Sequence, residues 1–207
     1  GIEQKLLERI KLCKLPPLQR RSLPFECYWE DSILIQEQKL IFSNQWLGLG
    51  RADRLETPGE YEVFELCGQA LVLIRDQDNI LRLYANTCRH RGAKLLDGTG
   101  QCQAISCPFH GWTYTLDGNL KYAKTMSENP NFDFSEHSLI EYKLKELQGF
   151  LFAFLGNQPT DLDSQLGDFS ELHQPWSLNE LITTRREVFE VQCNWKAFLD
   201  VFNEYYH

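Results

Sequence analysis

The chain has 207 residues, of which 43% are hydrophobic, with a formal net charge of −8 and a sequence pI near 5.2. This length is enough for one good-sized domain and part of a second. The acidic balance disfavours nucleic acid and anionic membrane surfaces as partners. The longest apolar run, residues 150–155, is far too short for a membrane span, and residues 1–8 lack the apolar centre of a signal peptide. We therefore expect a cytoplasmic protein without a membrane span.

The N-terminal residues show a helical pattern. Apolar residues recur with a helical period over residues 2–15, until the proline pair at 16–17 ends the pattern. Asp31 or Ser32 can cap a second helix that runs towards residue 42. We expect residues 1–42 to form an N-terminal helical segment.

From Trp46 onward the pattern changes to short strands separated by turn residues. The predicted strands cover residues 46–55, 61–66, 69–75, 80–85, 139–145 and 149–155. The dipeptide Asp117-Gly118 predicts a hairpin turn. These elements together predict a compact antiparallel β domain over residues 43–156.

The C-terminal part divides into two regions. Residues 157–180 are polar, contain two prolines, and are expected to form a connecting segment. A strand at Val188–Cys193 is expected to lead into a final helix, so residues 181–207 are assigned to a separate region.

Two short motifs each combine one cysteine with one histidine. Cys88 and His90 lie in Cys-Arg-His-Arg-Gly, and Cys107 and His110 lie in Cys-Pro-Phe-His-Gly-Trp, with sixteen residues between His90 and Cys107. Thiolates on one iron and imidazoles on the other form a Rieske [2Fe-2S] cluster, which transfers single electrons. We interpret these four residues as the metal-binding ligands of such a cluster.

Tetrahedral zinc is the alternative for the same four residues. Structural zinc sites usually pair Cys with Cys and His with His at short spacing, whereas each motif here is mixed. Cys102 is close to the second motif, but it is expected at the start of a strand and not as a ligand. An absorption spectrum separates the two alternatives, because zinc is colourless and a Rieske cluster is red-brown.

The two motifs resemble those of the Rieske family, which contains two broad kinds. In Rieske proteins of cytochrome bc complexes a disulfide links the two loops, but the corresponding positions here are Ala93 and Phe109. Trp112 stands where that kind has a serine that donates a hydrogen bond to a cluster sulfide. The resemblance is therefore to the oxygenase and ferredoxin kind. Fewer hydrogen bonds to sulfur lower the potential of the cluster, so we expect a midpoint potential at or below about 0 mV.

The end of the chain carries a further motif. Residues 194–207 begin Asn-Trp-Lys and resemble the helix that opens the catalytic domain in the α subunit of Rieske non-haem iron oxygenases. At about 100° per residue, Asp200, Glu204 and His207 share one face of this helix. The resemblance implies that His207 is the first ligand of a mononuclear iron and that Glu204 is the catalytic carboxylate linking a cluster histidine to that iron. Taken alone, the pattern is also that of an ordinary amphipathic helix with a solvated polar face.

The resemblance implies a mainly β fold with flanking helices, in the α+β class. Residues 43–156 would form an antiparallel Rieske β-sandwich, and residues 181–207 the beginning of a truncated catalytic domain that binds mononuclear Fe(II). A 2-His-1-carboxylate site needs three protein ligands. His137 and His173 match no family ligand, so we expect the catalytic iron site in this chain to be incomplete.

The function implied is electron transfer within an oxygenase. A reductase or ferredoxin would supply electrons, and the complete enzyme would use O2 to hydroxylate or demethylate a small organic substrate. The family implies a homo-trimer in which the link through Glu204 crosses between subunits. A glutamate at this position favours choline- or carnitine-type monooxygenases over ring-hydroxylating dioxygenases. A stand-alone Rieske ferredoxin is the second candidate, although such a carrier needs neither the N-terminal helices nor the Asn-Trp-Lys helix.

Overall fold

The structure, a computed structural model, describes residues 4–124 and 126–203. The described chain divides into two compact units. The larger unit runs from Phe42 to Thr184, and the smaller one combines the residues up to Ile41 with those from Arg185 onward. Every helix in the described ranges is too short or too polar to cross a lipid bilayer.

The larger unit is built from antiparallel strands. In the described residues the strands are β1 (Trp46–Arg51), β2 (Glu60–Leu66), β3 (Gln69–Arg75), β4 (Leu81–Ala85), β5 (Thr99–Gln101), β6 (Ile105–Ser106), β7 (Thr113–Tyr114), β8 (Leu120–Tyr122), β9 (Glu141–Leu147) and β10 (Phe150–Phe154). Seven of them form a sheet in the order β1-β10-β9-β4-β3-β2-β5, and β6-β7-β8 form a second sheet. The predicted mainly β fold is confirmed.

Strand β3 separates two parts of the hydrophobic core. Its central residues 71–74 are fully buried, because side chains on both faces of this strand are covered. Val72 and Ile74 point to one face and pack in a cluster that includes Cys88 and Cys107. Leu71 and Leu73 point to the other face and pack against β10. The two cysteine motifs therefore lie over one face of the large sheet.

The edge strand β1 is covered by a side chain. The Gln165 amide accepts a hydrogen bond from the Trp46 N–H and donates one to the Trp46 carbonyl, both at 2.9 Å. This pairing satisfies backbone groups that an exposed edge would offer to another chain. Gln165 lies in α3 (Leu162–Leu166), which is followed by α4 (Phe169–His173). Neither short helix was predicted within the connecting segment.

The hairpin turn between β7 and β8 lies where Asp117-Gly118 predicts it. Gly118 has φ +88°, and a Cβ at this position would come within 2.7 Å of the Tyr84 ring. Both the backbone angle and the close approach require glycine. The Tyr84 hydroxyl donates a 3.2 Å hydrogen bond to the Leu116 carbonyl, which fixes the small sheet on the core.

The smaller unit contains α1 (Gln4–Lys11), α2 (Asp31–Leu40) and α5 (Trp195–Asn203). The residue at the N-cap of α2 is Glu30, not Asp31 or Ser32, and its side chain makes no capping hydrogen bond. The strand predicted at Val188–Cys193 is wrong, since the structure assigns this segment no strand. A segment rich in strand-forming residues becomes a strand only when an adjacent strand supplies hydrogen-bond partners. The described residues provide no such strand beside this segment.

The turn between β3 and β4 depends on one buried carboxylate. Asp76 is 1% exposed and accepts hydrogen bonds from the N–H groups of Asp78 and Ile80, both at 2.9 Å. It also accepts from Arg82 Nε at 2.5 Å. All three donors lose their acceptor if this carboxylate is removed.

We therefore expect Asp76→Ala to lower the free energy of unfolding by about 3 kcal/mol, since it leaves two N–H groups and the Nε of the partly buried Arg82 without an acceptor. Among the described residues, the guanidinium of Arg82 would keep only its contact with Glu141. Urea unfolding followed by circular dichroism measures this change. Asp78→Ala is the matched control, because this exposed residue in the same turn should change stability by less than about 0.5 kcal/mol. Equal losses in the two variants would contradict the role of Asp76.

Candidate metal centre

Two loops bring the cysteine–histidine motifs together. The first loop connects β4 to β5 and is closed by an isolated bridge between Thr87 and Lys94. The second connects β6 to β7. Each loop leaves a strand whose apolar residues are buried, so the cysteine at its start enters the core.

The two loops make the same backbone turn. In each, the cysteine N–H donates to the carbonyl five residues later, and the glycine four residues later donates to the cysteine carbonyl. The bonds are Cys88 to Ala93 at 2.8 Å, Gly92 to Cys88 at 3.0 Å, Cys107 to Trp112 at 2.8 Å and Gly111 to Cys107 at 3.0 Å. Gly92 and Gly111 have φ of +74° and +69°, a conformation that favours glycine. The histidine of each motif lies inside this turn.

The turns place the thiols inside the protein and the imidazoles outside. Cys88 and Cys107 are 3% and 4% exposed, whereas His110 is exposed and His90 half-buried. The two Nδ1 atoms of the histidines lie 3.1 Å apart, and the ring planes are inclined by 70°. The four side chains therefore form two pairs, one buried and one at the surface.

This arrangement fits a two-iron cluster. Two nitrogens bound tetrahedrally to one metal ion at about 2.1 Å would lie about 3.4 Å apart, close to the observed separation. Across the described residues, no group of three or more His, Cys, Asp or Glu side chains could hold a metal ion. Zinc needs four ligands around one point, whereas each iron of a Rieske cluster takes only two protein ligands. The geometry favours the cluster over zinc.

The surroundings of the thiols control their protonation. Burial raises the pKa of the Cys88 thiol, the Tyr114 hydroxyl lowers it, and the neighbouring Cys107 thiol raises it. Burial also lowers the pKa of His90, with smaller contributions from His110 and Arg91. Thiols bind metal only as thiolates, so loading this site with metal must release their protons.

Tyr114 is a residue of this site that the sequence analysis missed. Its side chain is fully buried, and its hydroxyl lies 3.3 Å from Cys88 Sγ. The same hydroxyl accepts a 3.0 Å hydrogen bond from the Arg89 N–H, so its own proton is directed to the sulfur. Position 112 is a tryptophan and offers no hydroxyl, but the tyrosine two residues later places a hydroxyl against Cys88 Sγ.

Trp112 has a different role. Its ring is 4% exposed and stacks on the His90 imidazole, with centroids 4.8 Å apart and planes inclined by 13°. The indole therefore fixes the plane of one histidine and keeps water from one face of it. His137 packs against Trp112 from another direction, at 5.6 Å between centroids.

The structure does not describe the two residues proposed for the mononuclear iron site. Glu204 and His207 lie outside the described residues, so their assignments stay predictions. Asp200, on the same predicted helix face, lies in α5 and accepts a 2.8 Å hydrogen bond from the Tyr28 hydroxyl. His173 Nδ1 donates a 2.7 Å hydrogen bond to the Phe169 carbonyl and contacts neither histidine of the centre.

Comparison with known proteins gives the family. Residues 45–141 match the Rieske [2Fe-2S] domain. The chain is 33% identical over 189 residues to a carnitine monooxygenase oxygenase subunit from Acinetobacter pittii, covering 90% of this chain and 51% of the relative. It is 29% identical to a glycine betaine monooxygenase oxygenase subunit from Chromohalobacter salexigens, covering 90% of this chain and 42% of the relative.

A solved structure shows the same fold. The crystal structure of a quaternary ammonium Rieske monooxygenase in complex with L-carnitine superposes with a TM-score of 0.81 at 33% identity, covering 89% of this chain and 53% of that one. The present chain thus spans about half the length of the relatives that it matches. From the cysteine–histidine loops, the fold and these likenesses together, we conclude that residues 45–141 form a Rieske [2Fe-2S] domain and that the chain is similar to the oxygenase subunits of Rieske non-haem iron monooxygenases.

Proposed function

We propose that Cys88 and Cys107 bind one iron of a [2Fe-2S] cluster and that His90 and His110 bind the other. The observation that carries this proposal is the pair of matching turns, which set two buried thiols against two surface imidazoles. When bound, such a cluster accepts and releases single electrons. The protein supplies the dry surroundings of the sulfurs through the core, and the stacked indole of Trp112 orients one of the imidazoles.

The imidazole side is the exit for electrons in this proposal. His110 is exposed, and Phe109 beside it is 67% exposed, so a partner or another domain can approach this edge closely. The thiol side is closed by Tyr114 and the rest of the core. An asymmetric site of this kind directs transfer through the histidines.

We further propose that the complete protein is the oxygenase subunit of an O2-dependent monooxygenase. His207 would be the first ligand of its mononuclear Fe(II), and Glu204 would hydrogen-bond a cluster-ligating histidine on one side and an iron ligand on the other. In this proposal the catalytic domain begins at residues 181–207, after an N-terminal segment at 1–42, the Rieske domain at 43–156 and a connecting segment at 157–180. The resemblance to relatives extends over 90% of this chain, more than a stand-alone ferredoxin would need.

The relatives indicate a class of substrate. Those compared above are named for carnitine and glycine betaine, which both carry a quaternary ammonium group. We propose that the complete protein hydroxylates or demethylates a small quaternary amine of this class. The glutamate at position 204 agrees with this assignment.

The electron donor would be a reductase or a ferredoxin. Arg89 and Arg91 are exposed in the first cluster loop, in a chain whose net charge is −8. Local positive charge of this kind steers an acidic donor to the cluster. A homo-trimer in the cytoplasm completes the proposal, and the seven free cysteines are those expected of a reducing compartment.

The ligand assignment is tested by His110→Cys. The variant should retain iron but give a different electron paramagnetic resonance spectrum when reduced, because a thiolate replaces one of the two imidazoles that distinguish the irons. His137→Asn is the control, since this histidine lies near Trp112 outside the proposed ligand set, and its spectrum should equal that of the wild type. Reduced wild-type protein with an all-cysteine type of spectrum would contradict the assignment.

Tyr114→Phe tests the hydrogen bond to the cluster sulfur. A donor to a thiolate sulfur stabilises the reduced, more negative cluster, so its loss should lower the midpoint potential. One charge-assisted hydrogen bond of about 1.4 kcal/mol corresponds to about 60 mV for one electron. Protein-film voltammetry measures this shift.

Tyr84→Phe is the matched control for this substitution. It also removes a buried tyrosine hydroxyl, but that hydroxyl donates to the Leu116 carbonyl and not to sulfur. Its midpoint potential should stay within about 10 mV of the wild-type value. A Tyr114→Phe variant with the wild-type potential, or a similar decrease in both variants, would show that the Tyr114 hydroxyl does not act through the sulfur.

Glu204→Gln tests the proposed link to the mononuclear iron. In the full-length protein, the variant should keep its cluster and its reduction by the donor, while substrate-dependent reoxidation by O2 slows at least about 100-fold. Rapid-mixing absorbance at the cluster band, with carnitine as the substrate, follows this step in a single turnover. Glu190→Gln, at an exposed position before the last helix, is the control. Wild-type reoxidation in the Glu204 variant would make Glu204 an ordinary solvated residue.

A further inference from the structure

In the smaller unit, one carboxylate of α2 binds two residues of α5. Lys196 Nζ lies 2.8 Å from both carboxylate oxygens of Glu37. The indole Nε1 of Trp195 donates a 2.9 Å hydrogen bond to the same group. Two consecutive residues of the Asn-Trp-Lys motif thus bind one side chain about 160 positions earlier in the sequence.

This contact is largely shielded from water. The side chains of Lys196 and Glu37 are 10% and 13% exposed, and Lys196 as a whole is 8% exposed. Its ammonium group also lies 5.9 Å from the centre of the Tyr28 ring and 5.0 Å from that of Trp195. A charge in such surroundings requires its partner, because water cannot replace it.

A second tether lies one helical turn further along α5. The Tyr28 hydroxyl donates a 2.8 Å hydrogen bond to Asp200. Lys196 and Asp200 are four positions apart, which is about 6 Å along a helix axis. Two directional contacts at this separation determine both the rotation of the helix and its position along its axis.

Much of the apolar surface of this helix is exposed in the described residues. The large apolar side chains of its outer face are exposed, namely Phe198, Leu199, Val201 and Phe202. Apolar contacts are non-directional, whereas a carboxylate that binds an ammonium and an indole N–H allows one arrangement. The polar tethers therefore set the register of α5.

We propose that Glu37 is a positioning residue for the mononuclear iron site, acting through Trp195 and Lys196. Glu204 and His207 follow α5 directly in the sequence, so the register in which α5 is held sets the point at which the chain leaves this helix towards the proposed iron site. This inference rests on the proposed function, in which these two residues serve the iron. Displacement of a reacting group by about 1 Å can cost about 100-fold in rate.

The test uses the full-length protein with two variants at the anchor. Glu37→Gln keeps an acceptor for Trp195 but leaves Lys196 without its countercharge. The double variant Glu37→Leu/Lys196→Met removes both charges and the directional bonds while filling the same space, a change that commonly preserves stability. Asp31→Asn, at an exposed carboxylate on the same helix, is the control.

A positioning role predicts a separation of stability from activity. The double variant should melt at the wild-type temperature and keep the cluster spectrum and its rate of reduction by the donor. Its affinity for mononuclear Fe(II) should fall at least about 10-fold and its kcat with carnitine at least about 10-fold, with Glu37→Gln affected likewise. Asp31→Asn should match the wild type in every measurement.

Two results overturn the inference and leave the proposed function intact. One is a double variant with wild-type iron affinity and kcat, which would show that the ion pair serves folding alone. The other is a folded Glu37→Gln variant with the wild-type affinity for iron and the wild-type kcat. This second result can be obtained even if the double variant does not fold. Failure of the proposed function would be seen differently. The His207→Ala variant would then contain as much mononuclear iron as the wild-type protein.

Discussion

The candidate metal centre depends on one backbone turn that the chain makes twice. In both loops the N–H of a glycine with positive φ donates to the carbonyl of the cysteine four residues earlier. The N–H of that cysteine donates to the carbonyl five residues later. A residue with a Cβ is strained in this conformation, although Gly92 and Gly111 have ample space around them. The glycines are thus required by the path of the backbone, and the position of each sulfur follows from that path.

The sheet gives these turns a fixed base. Side chains alternate across β3, so Val72 and Ile74 support the cysteine side while Leu71 and Leu73 belong to the opposite cluster. The sulfurs therefore lie among apolar and aromatic residues, where a hydrogen bond such as that of Tyr114 is strengthened by the low local dielectric. Burial on one side and exposure on the other make the two halves of the site chemically unequal.

Local features of the site could be predicted from the sequence, because they depend on short spacing. The ligand pairs are two and three residues apart, and the turn at Asp117-Gly118 is set by its own residues. Tyr114 was missed because its sulfur partner is 26 positions away, and Glu37 because Trp195 is 158 positions away. Such contacts follow from the fold and not from a local pattern. The opposite error occurred at Val188–Cys193, where strand-forming residues have no adjacent strand in the described structure.

In the proposed centre, two imidazoles bind one iron of a two-iron cluster and two thiolates bind the other. Electron–nuclear double resonance on the reduced protein, grown with ¹⁵N-labelled histidine, detects the imidazole ligands themselves. We expect two strongly coupled histidine nitrogens, which are lost when His90 and His110 are both replaced by cysteine. A reduced cluster without histidine coupling, or a colourless protein that contains zinc in place of iron, would contradict it.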